Sequence, residues 1–462
     1  MRIAVTAVLL AASAVVMGVT ATAFGMVDNR GDDRVFIACT VALWILFAAA
    51  IIVFRGVRGR AAVALVLAGG LAIGGAALAG PPNTSTDSAR YVWDGLVQNA
   101  GISPYAYVPD ADALANVRTP WLFPSEAGID PAQCTLPRLR QATSSPSGMP
   151  LCTAINRPSS PTIYPPTAEL FFGAVTLVSG SSAHYLPLQV AGLLMSLAIT
   201  VLLMRALLRR RMDVRWAALW AWSPFVATEG VNNSHIDMLA TLLVLVATLA
   251  ASRGFRFRSG IALGAAIATK LVPIIAAPAL LRKQPWKVAT AAVATFSVLY
   301  VPYVLSTGIA VLGYLPGYLS EEGYSSGTRF TILASILPPS WTLAVAAVLL
   351  AITAALVWWK TDPERPWLGQ LVMIGTTLLV VSPNYPWYGL MLVPFIALTR
   401  RWEWFAVPAA MTLRQLYPHT QTYLGVLWVA TLLILIVSIR RMGPFSELPG
   451  RVRALAHSLR RR

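Results

Sequence analysis

Long apolar runs with almost no charge inside them decide what this chain can fold into. Residues 186–207 contain one charged side chain, Arg205, and residues 421–439 contain none. A helix that crosses the ~30 Å hydrocarbon layer of a bilayer needs about 20 mostly apolar residues, and both runs supply them. Such runs recur at 3–25, 35–54, 61–80, 186–207, 214–230, 237–252, 288–306, 341–359, 367–382, 387–399, 404–416 and 421–439, which gives about twelve spans. Only 12% of the residues are charged and 56% are apolar, whereas soluble domains carry about 25% charged residues. The expected class is therefore an all-α, polytopic membrane protein, and a soluble globular fold is excluded.

The formal net charge is +17. In a soluble chain such an excess would point to nucleic acid; between membrane spans it reports topology, because Lys and Arg favour the cytoplasmic side. With the N-terminus inside, the connecting segments on that side sum to +21 and those on the other to −5, and Lys270 is left within an apolar segment. The expected arrangement is a multi-pass plasma-membrane protein with both termini cytoplasmic and no nucleic-acid partner. The first span reads as an uncleaved anchor; Ala21-Thr22-Ala23 offers a signal-peptidase site as the alternative. Segment 259–281 has basic clusters at both ends, Arg253/Arg256/Arg258 and Arg282/Lys283/Lys287, and so should enter and leave on one side. Two half-helices broken at Leu271-Val272-Pro273 would do this, with protein or a water-filled cavity around the irregular backbone.

Four regions follow: three spans in 1–80, an extracytoplasmic loop in 81–185, a bundle in 186–439 with the re-entrant pair 259–281 and a smaller outer loop 308–340, and a basic cytoplasmic tail, 440–462. Loops as long as 81–165 are usually functional, which places the expected chemistry on the outer face. After Tyr164-Pro165-Pro166 a short apolar stretch to about 178 reads as a helix lying in the outer interface. Cys134 and Cys152 share the large loop, where an oxidising compartment permits a disulfide. A closed loop of about 19 residues would be stabilised by roughly 3 kcal/mol. Cys39 sits in a span as a packing residue.

No GxxxxGK[ST] phosphate loop, CxxC pair, HExxH or GxSxG occurs, so nothing indicates ATP hydrolysis or zinc chemistry. Gly70 and Gly74 form a GxxxG that reads as helix packing. The densest polar constellation is Asp87-Ser88-Ala89-Arg90-Tyr91-Val92-Trp93-Asp94-Gly95, just beyond the third span. On a continuing helix about 700° of rotation separates Asp87 from Asp94, leaving them about 20° off one face and roughly 10 Å apart along the axis. That is too far for a shared proton; it suits one carboxylate as base and the other as a binding or structural group, or two carboxylates capping a helix exit. Other polar groups lie at apolar depth or at outer span ends: Asn232, Asn233, His235, Asp237, Lys270, Asn384, Tyr385, Trp387 and Tyr388. An ammonium at membrane depth costs on the order of 2.5 to 3.5 kcal/mol, so Lys270 should face a cavity, a phosphate or a carboxylate partner.

Taken in order, several passages resemble the GT-C glycosyltransferases, and most of all the actinobacterial mannosyltransferases that use polyprenyl-phosphomannose. They are Asp87 to Gly95 with Gly101-Ile102-Ser103-Pro104-Tyr105, Asn156-Arg157-Pro158 with Thr162-Ile163-Tyr164-Pro165-Pro166, Gly264 to Lys270 with Pro273, and Ser382-Pro383-Asn384-Tyr385-Pro386-Trp387-Tyr388. The resemblance implies a GT-C fold, a polyprenyl-phosphate sugar donor, a glycolipid or glycan acceptor, contact with membrane lipids, and an acidic base just after the span before the large loop. By position that base is Asp87, with Asp94 second. The implied substrate contacts are Arg90, Tyr91, Trp93, Tyr164, His235, Lys270, Arg329, Asn384 and Tyr385, with Arg329, Lys270 and His235 as the phosphate contacts in falling order of accessibility. A lipid-phosphate sugar is already activated, so no cofactor is required, no metal site is assigned, and dependence on a divalent metal is left open. The alternative class is a transporter or flippase of lipid-linked glycans, which would also use a broken helix with a charge inside it.

Overall fold

In the computed structural model, residues 1–23, 33–128, 134, 140–180 and 184–442 are described; the tail beyond 442, expected to be basic and cytoplasmic, lies outside them. Three apolar helices open the chain, α1 (Arg2–Ala23), α2 (Asp33–Phe54) and α3 (Gly59–Ala76), and pack on one another. The large loop that follows contains α4 (Asp87–Asn99), a two-stranded hairpin and α5 (Pro166–Ser179). The bundle resumes with α6 (Leu186–Arg209), α7 (Ala218–Ala221), a π-helical turn (Val226–Asn232), α8 (Asp237–Ser252), α9 (Arg256–Ile267), α10 (Ala277–Leu280) and α11 (Pro285–Thr307). Beyond it come α12 (Leu315–Glu321), α13 (Thr331–Ala334), α14 (Pro339–Lys360), α15 (Trp367–Val381), α16 (Val393–Thr399), α17 (Ala406–Leu416) and α18 (Thr420–Met442). Among the described residues the fold is all-α but for the hairpin, and it is polytopic.

Among the described residues seven helices are long and apolar enough to cross a membrane alone, and the bent pair Val226–Asn232 plus Asp237–Ser252, folded by 111°, would make an eighth. The remaining runs expected to span are built from shorter pieces. Residues 214–230 divide into a 3₁₀ turn, α7 and the π-helical turn; 367–382, 387–399 and 404–416 carry α15, α16 and α17. At 1.5 Å per residue, helices of 11 to 15 residues reach only about 17 to 22 Å. They are apolar because they fill the protein interior: Leu371, Ile374, Val393 and Ile396 are fully buried, whereas α14 turns Leu343, Val348 and Ile352 outward. Composition alone does not separate a lipid-facing helix from one surrounded by protein.

The 259–281 segment is broken near the expected place. Helix α9 stops at Ile267, Lys270 lies in the irregular stretch, and a 3₁₀ turn begins at Val272 with Pro273 in its first turn. Gly70 approaches Ala221 and Gly74 approaches Leu193, so the GxxxG serves packing of α3 on its neighbours.

The large loop has its own core, in which Tyr91, Trp93, Leu114, Phe123, Ile155 and Phe172 are buried together. Helices α4 and α5 pack closely because position 95 is glycine: a Cβ there would lie 2.5 Å from the carbonyl oxygen of Phe172. Pro166 starts α5 with the φ that a first helical turn needs. Its outer face exposes Leu170, Leu177 and Val178, as an interfacial helix would. The hairpin, which sequence patterning did not anticipate, pairs β1 (Gln141–Ser144) with β2 (Pro150–Thr153) antiparallel, Gln141 facing Thr153. Cys152 in β2 is joined to Cys134, their Cα atoms 5.4 Å apart, and Cys39 is not bridged. Peptide mapping without reductant should therefore link the fragments containing Cys134 and Cys152 and leave only Cys39 open to alkylation. Replacing both bridged cysteines with Ser should destabilise the loop by about 3 kcal/mol. Alkylation of all three cysteines in unreduced protein would refute the bridge.

Candidate active site

The segment leading into α4 is held by two asparagines from the end of the π-helical turn. The Asn232 side chain accepts a hydrogen bond from the Asn83 backbone (3.0 Å) and donates to the carbonyls of Ala77 (3.0 Å) and Pro81 (3.1 Å). Asn233 accepts from the Asn83 and Thr84 backbone N–H groups, each at 3.1 Å. Both asparagines are fully buried, where amides left unpaired would be expensive; here they set where the first turn of α4 begins. Asp87, the first residue of α4, is thereby brought against His235, whose Nδ1 lies 3.5 Å from the Asp87 carboxylate. On its other side His235 Nε2 lies 3.4 Å from Glu229. These are charge contacts, longer than aligned hydrogen bonds. A ring flanked by carboxylates at both nitrogens is suited to being an imidazolium, which donates from both. Trp387 stacks on the His235 ring (centroids 3.8 Å apart) and Tyr385 stacks on Trp387 (4.6 Å).

Asp87 keeps 16% of its side chain exposed, and one oxygen accepts a 2.7 Å hydrogen bond from the Asn156 amide. Burial pushes its carboxyl up. Contact with the His235 ring, the Lys270 ammonium and the Asn156 amide pull it down further, so it sits below the usual carboxylate range. Asp87 opens onto a cavity of about 570 Å³, of which it is the one carboxylate among the described lining residues. Arg90, Arg157, Lys270 and Arg329 also line it, with Tyr164, Tyr318, Tyr385 and Tyr388.

Each of the four cations has an acid behind it. Arg90 Nε bonds both oxygens of Asp94 (2.9 and 3.0 Å), four residues on along α4. Arg157 Nε bonds Glu321 at 3.1 Å, tying the large loop to the 308–340 loop. Lys270 Nζ bonds Asp237 at 2.8 Å and lies 4.1 Å from the centre of the Tyr388 ring. Arg329 pairs with Glu322. Burial in an apolar setting demands such partners.

Asp94 is thus occupied inside the protein. Thr162 lies 2.9 Å from it and 2.8 Å from Glu169. A hydroxyl carries one proton, so two carboxyls on one hydroxyl need a second proton between them. Burial and the Asp94 charge push the Glu169 carboxyl well above the usual range, while Asp94 is raised less, burial being partly offset by Arg90. Thr162 thus links Glu169 to Asp94, and Asp94 holds Arg90 at the cavity wall.

Of the residues singled out in the sequence, the structure gathers Asp87, Arg90, Tyr164, Lys270, Arg329 and Tyr385 around one cavity. His235 stands behind Asp87. Tyr91 and Trp93 are buried in the loop core, stacked on Phe172 and against Phe123, and Asn384 is exposed outside the cavity. Sequence reasoning did not single out Asn156, Arg157, Tyr318 or Glu229 as site groups. The first two stand in a passage that carried the family resemblance, and Glu229 showed as an acid at a span end; Tyr318 had no signal beyond its place in the outer loop. No three His, Cys, Asp or Glu side chains among the described residues cluster as a metal site.

Residues 162–383, just under half of the chain, match glycosyltransferase family 87. The matched segment includes Thr162, Glu169, His235, Lys270 and Arg329 and begins after Asp87 and Asn156. No curated protein sequence matches the chain. Among solved structures, the crystal structure of the Archaeoglobus fulgidus oligosaccharyltransferase in complex with Zn and sulfate aligns with a TM-score of 0.33 and 14% identity, over 59% of this chain and 45% of that one. The chain spans less than half the length of that enzyme. The family match, on a polytopic helical fold in which four cations and one carboxylate converge on a cavity, supports a membrane glycosyltransferase.

Proposed function

We propose that the protein transfers a sugar, mannose, from a polyprenyl-phosphate donor to a hydroxyl of a cell-envelope glycolipid or glycan on the extracytoplasmic face, with inversion and with Asp87 as general base. The observation that carries this reading is the cavity in which Asp87 is the one described lining carboxylate, facing four cations. In the proposed step Asp87 takes the proton of the acceptor hydroxyl, and the freed oxygen bonds to the anomeric carbon as the carbon–oxygen bond to phosphate breaks. The electron pair leaves on the phosphate, where Lys270, Arg90, Arg157 and Arg329 oppose its charge. One lining carboxylate suits a single displacement; retention through a covalent sugar would call for a second one placed as nucleophile.

A lipid donor is supported by a neighbouring groove of about 530 Å³ that shares Tyr164, Leu271 and Leu315 with the cavity and continues along Phe296, Val301 and Val304 of α11. Its apolar wall offers a path for a prenyl chain whose phosphate sits among the cations. Lys270 lines the cavity beside Leu271, which lines both spaces.

Asp87→Asn keeps the shape of the side chain and removes the base. Transfer from labelled polyprenyl-phosphate mannose should fall about 10² to 10⁴-fold in protein whose melting is unchanged; a near wild-type rate would remove Asp87 from the chemistry, and no transfer by the wild type would favour a transporter of lipid-linked glycans instead. Lys270→Met combined with Asp237→Asn removes the cation without stranding its acid, and donor affinity should weaken about ten- to hundredfold; unchanged affinity would take Lys270 out of the phosphate site. The reaction needs Asp87 ionised, so activity is present above its depressed pKa and is lost as pH falls through it. Asn156→Ala removes a hydrogen bond that favours the carboxylate. The acid limb of kcat/KM should accordingly lie below the usual carboxylate range in the wild type and move to higher pH in the variant; a limb that stays in place would exclude Asp87 as the titrating group.

A further inference from the structure

The transfer chemistry lies where the large loop meets the bundle, and a second polar pocket lies at the opposite ends of α3 and α6. It is a space of about 440 Å³ where the ends of α2, α16 and α18 meet the connection between α6 and α7. Arg55, Arg215, Arg400 and Arg441 line it against one carboxylate, Asp213. Arg215 is bonded to Asp213 at 2.9 Å and Arg441 to Glu403 at 2.9 Å. Arg55 and Arg400 have no carboxylate partner among the described residues, so the concave wall carries positive charge that the protein itself does not neutralise. The rest of the wall is apolar and aromatic: Ile51, Phe54, Leu219, Trp216 and Trp402, the last 48% exposed. Indoles with one wet end concentrate where bilayers meet water.

We propose that this pocket holds the phosphate headgroup of an anionic membrane phospholipid, with Arg55 and Arg400 binding phosphate oxygens and the upper acyl chain lying on Ile51 and Trp402. Arg55 and Arg400 are exposed to whatever enters the recess and have no carboxylate partner among the described residues, and their planar forks match phosphate oxygens. The apolar wall selects the source of that phosphate. A free hydrated phosphate gains nothing from the accessible faces of Ile51, Trp216 and Trp402, whereas acyl methylenes laid against them leave water at a gain of about 0.8 kcal/mol each. Basic recesses between helix ends are suited to lipid headgroups for this reason. Such a lipid would bridge the ends of α2, α16 and α18, which are far apart in sequence.

The test uses the full chain, delipidated in a neutral detergent, with native mass spectrometry as readout and phosphatidylglycerol, phosphatidylcholine and inorganic phosphate as the three probes. Phosphatidylglycerol should bind saturably and in preference to phosphatidylcholine, and its binding should weaken with added salt. Inorganic phosphate at equal concentration should not displace it. In the double variant Arg55→Gln/Arg400→Gln, binding should weaken about thirtyfold, from roughly tenfold or less per basic contact. Neither arginine leaves a carboxylate stranded when replaced, and Arg55→Lys/Arg400→Lys, which keeps the charge, should restore most of the binding. Equal binding of the two lipids, or an unchanged double variant, would overturn the proposal. Displacement by inorganic phosphate would assign the pocket to a free anion and remove the lipid.

Discussion

The position of Asp87 depends on one set of contacts, the hydrogen bonds from Asn232 and Asn233 to residues 77–84. Backbone N–H and C=O groups between α3 and α4 are buried with no regular helix to satisfy them, and in apolar surroundings each must find a partner. Two adjacent side-chain amides meet that need, because each carries a donor and an acceptor. Those amides are available because the preceding turn is π-helical, a widened form that occurs mostly as single turns, often at functional sites. The same turn carries Glu229, and His235 follows just beyond it, so the stretch that fixes where α4 starts also places the ring that helps keep the Asp87 carboxylate ionised.

A second constraint governs the rest of the cavity wall. Arg90, Lys270 and Arg329 have little access to water and need counter-charges, and with the more exposed Arg157 each has one: Asp94, Asp237, Glu322 and, for Arg157, Glu321. Two of the pairs join segments distant in sequence, Arg157 to Glu321 between the two outer loops and Lys270 to Asp237 between the broken hairpin and α8. Pairing of this kind is weak evidence for stability, since desolvation offsets much of the attraction. It does fix geometry: each cation is oriented before any ligand arrives, so little reorganisation is needed when negative charge develops in the cavity.

These two constraints explain how much was legible in the sequence. The first three spans, α6, α14 and α18 could be read from length and apolarity because lipid is uniform and imposes a simple rule. The interior pieces from 214 to 232 and from 367 to 416 could not, since burial in protein permits helices of any length and 3₁₀ or π turns between them. Asp87 and Lys270 stood out because a charge at an apolar boundary needs a reason. Asp94 and Arg90 are four apart on one helix, a spacing that favours their pairing and separates the structural carboxylate from the one facing the cavity. Asn156 and Arg157 reach the site from a loop with no periodicity, Arg157 in a left-handed backbone conformation at φ 49°, and local pattern says nothing about where such a residue points. The hairpin left a trace in Ser145-Pro146-Ser147-Gly148, residues that favour a turn.

The surroundings of Asp87 pose a problem that the proposed reaction answers. A carboxylate held below its usual range is a weaker proton acceptor, and base catalysis ordinarily favours a group that titrates near the working pH. That penalty matters most when the nucleophile must be strong before bond formation begins. A sugar on phosphate is different: its bond can lengthen early, with positive charge developing at the anomeric carbon as in other glycosyl transfers, so the acceptor hydroxyl becomes acidic only as it bonds. What the site then needs is a carboxylate that is always ionised, correctly aimed, and negative enough to stabilise the carbon ahead of it. His235 and Asn156 secure the ionisation and the aim, and the cavity cations secure the departure of phosphate. On the proposed mechanism a low pKa at Asp87 therefore trades intrinsic basicity for a constant charge beside the carbon that becomes positive, with a late proton transfer following from it.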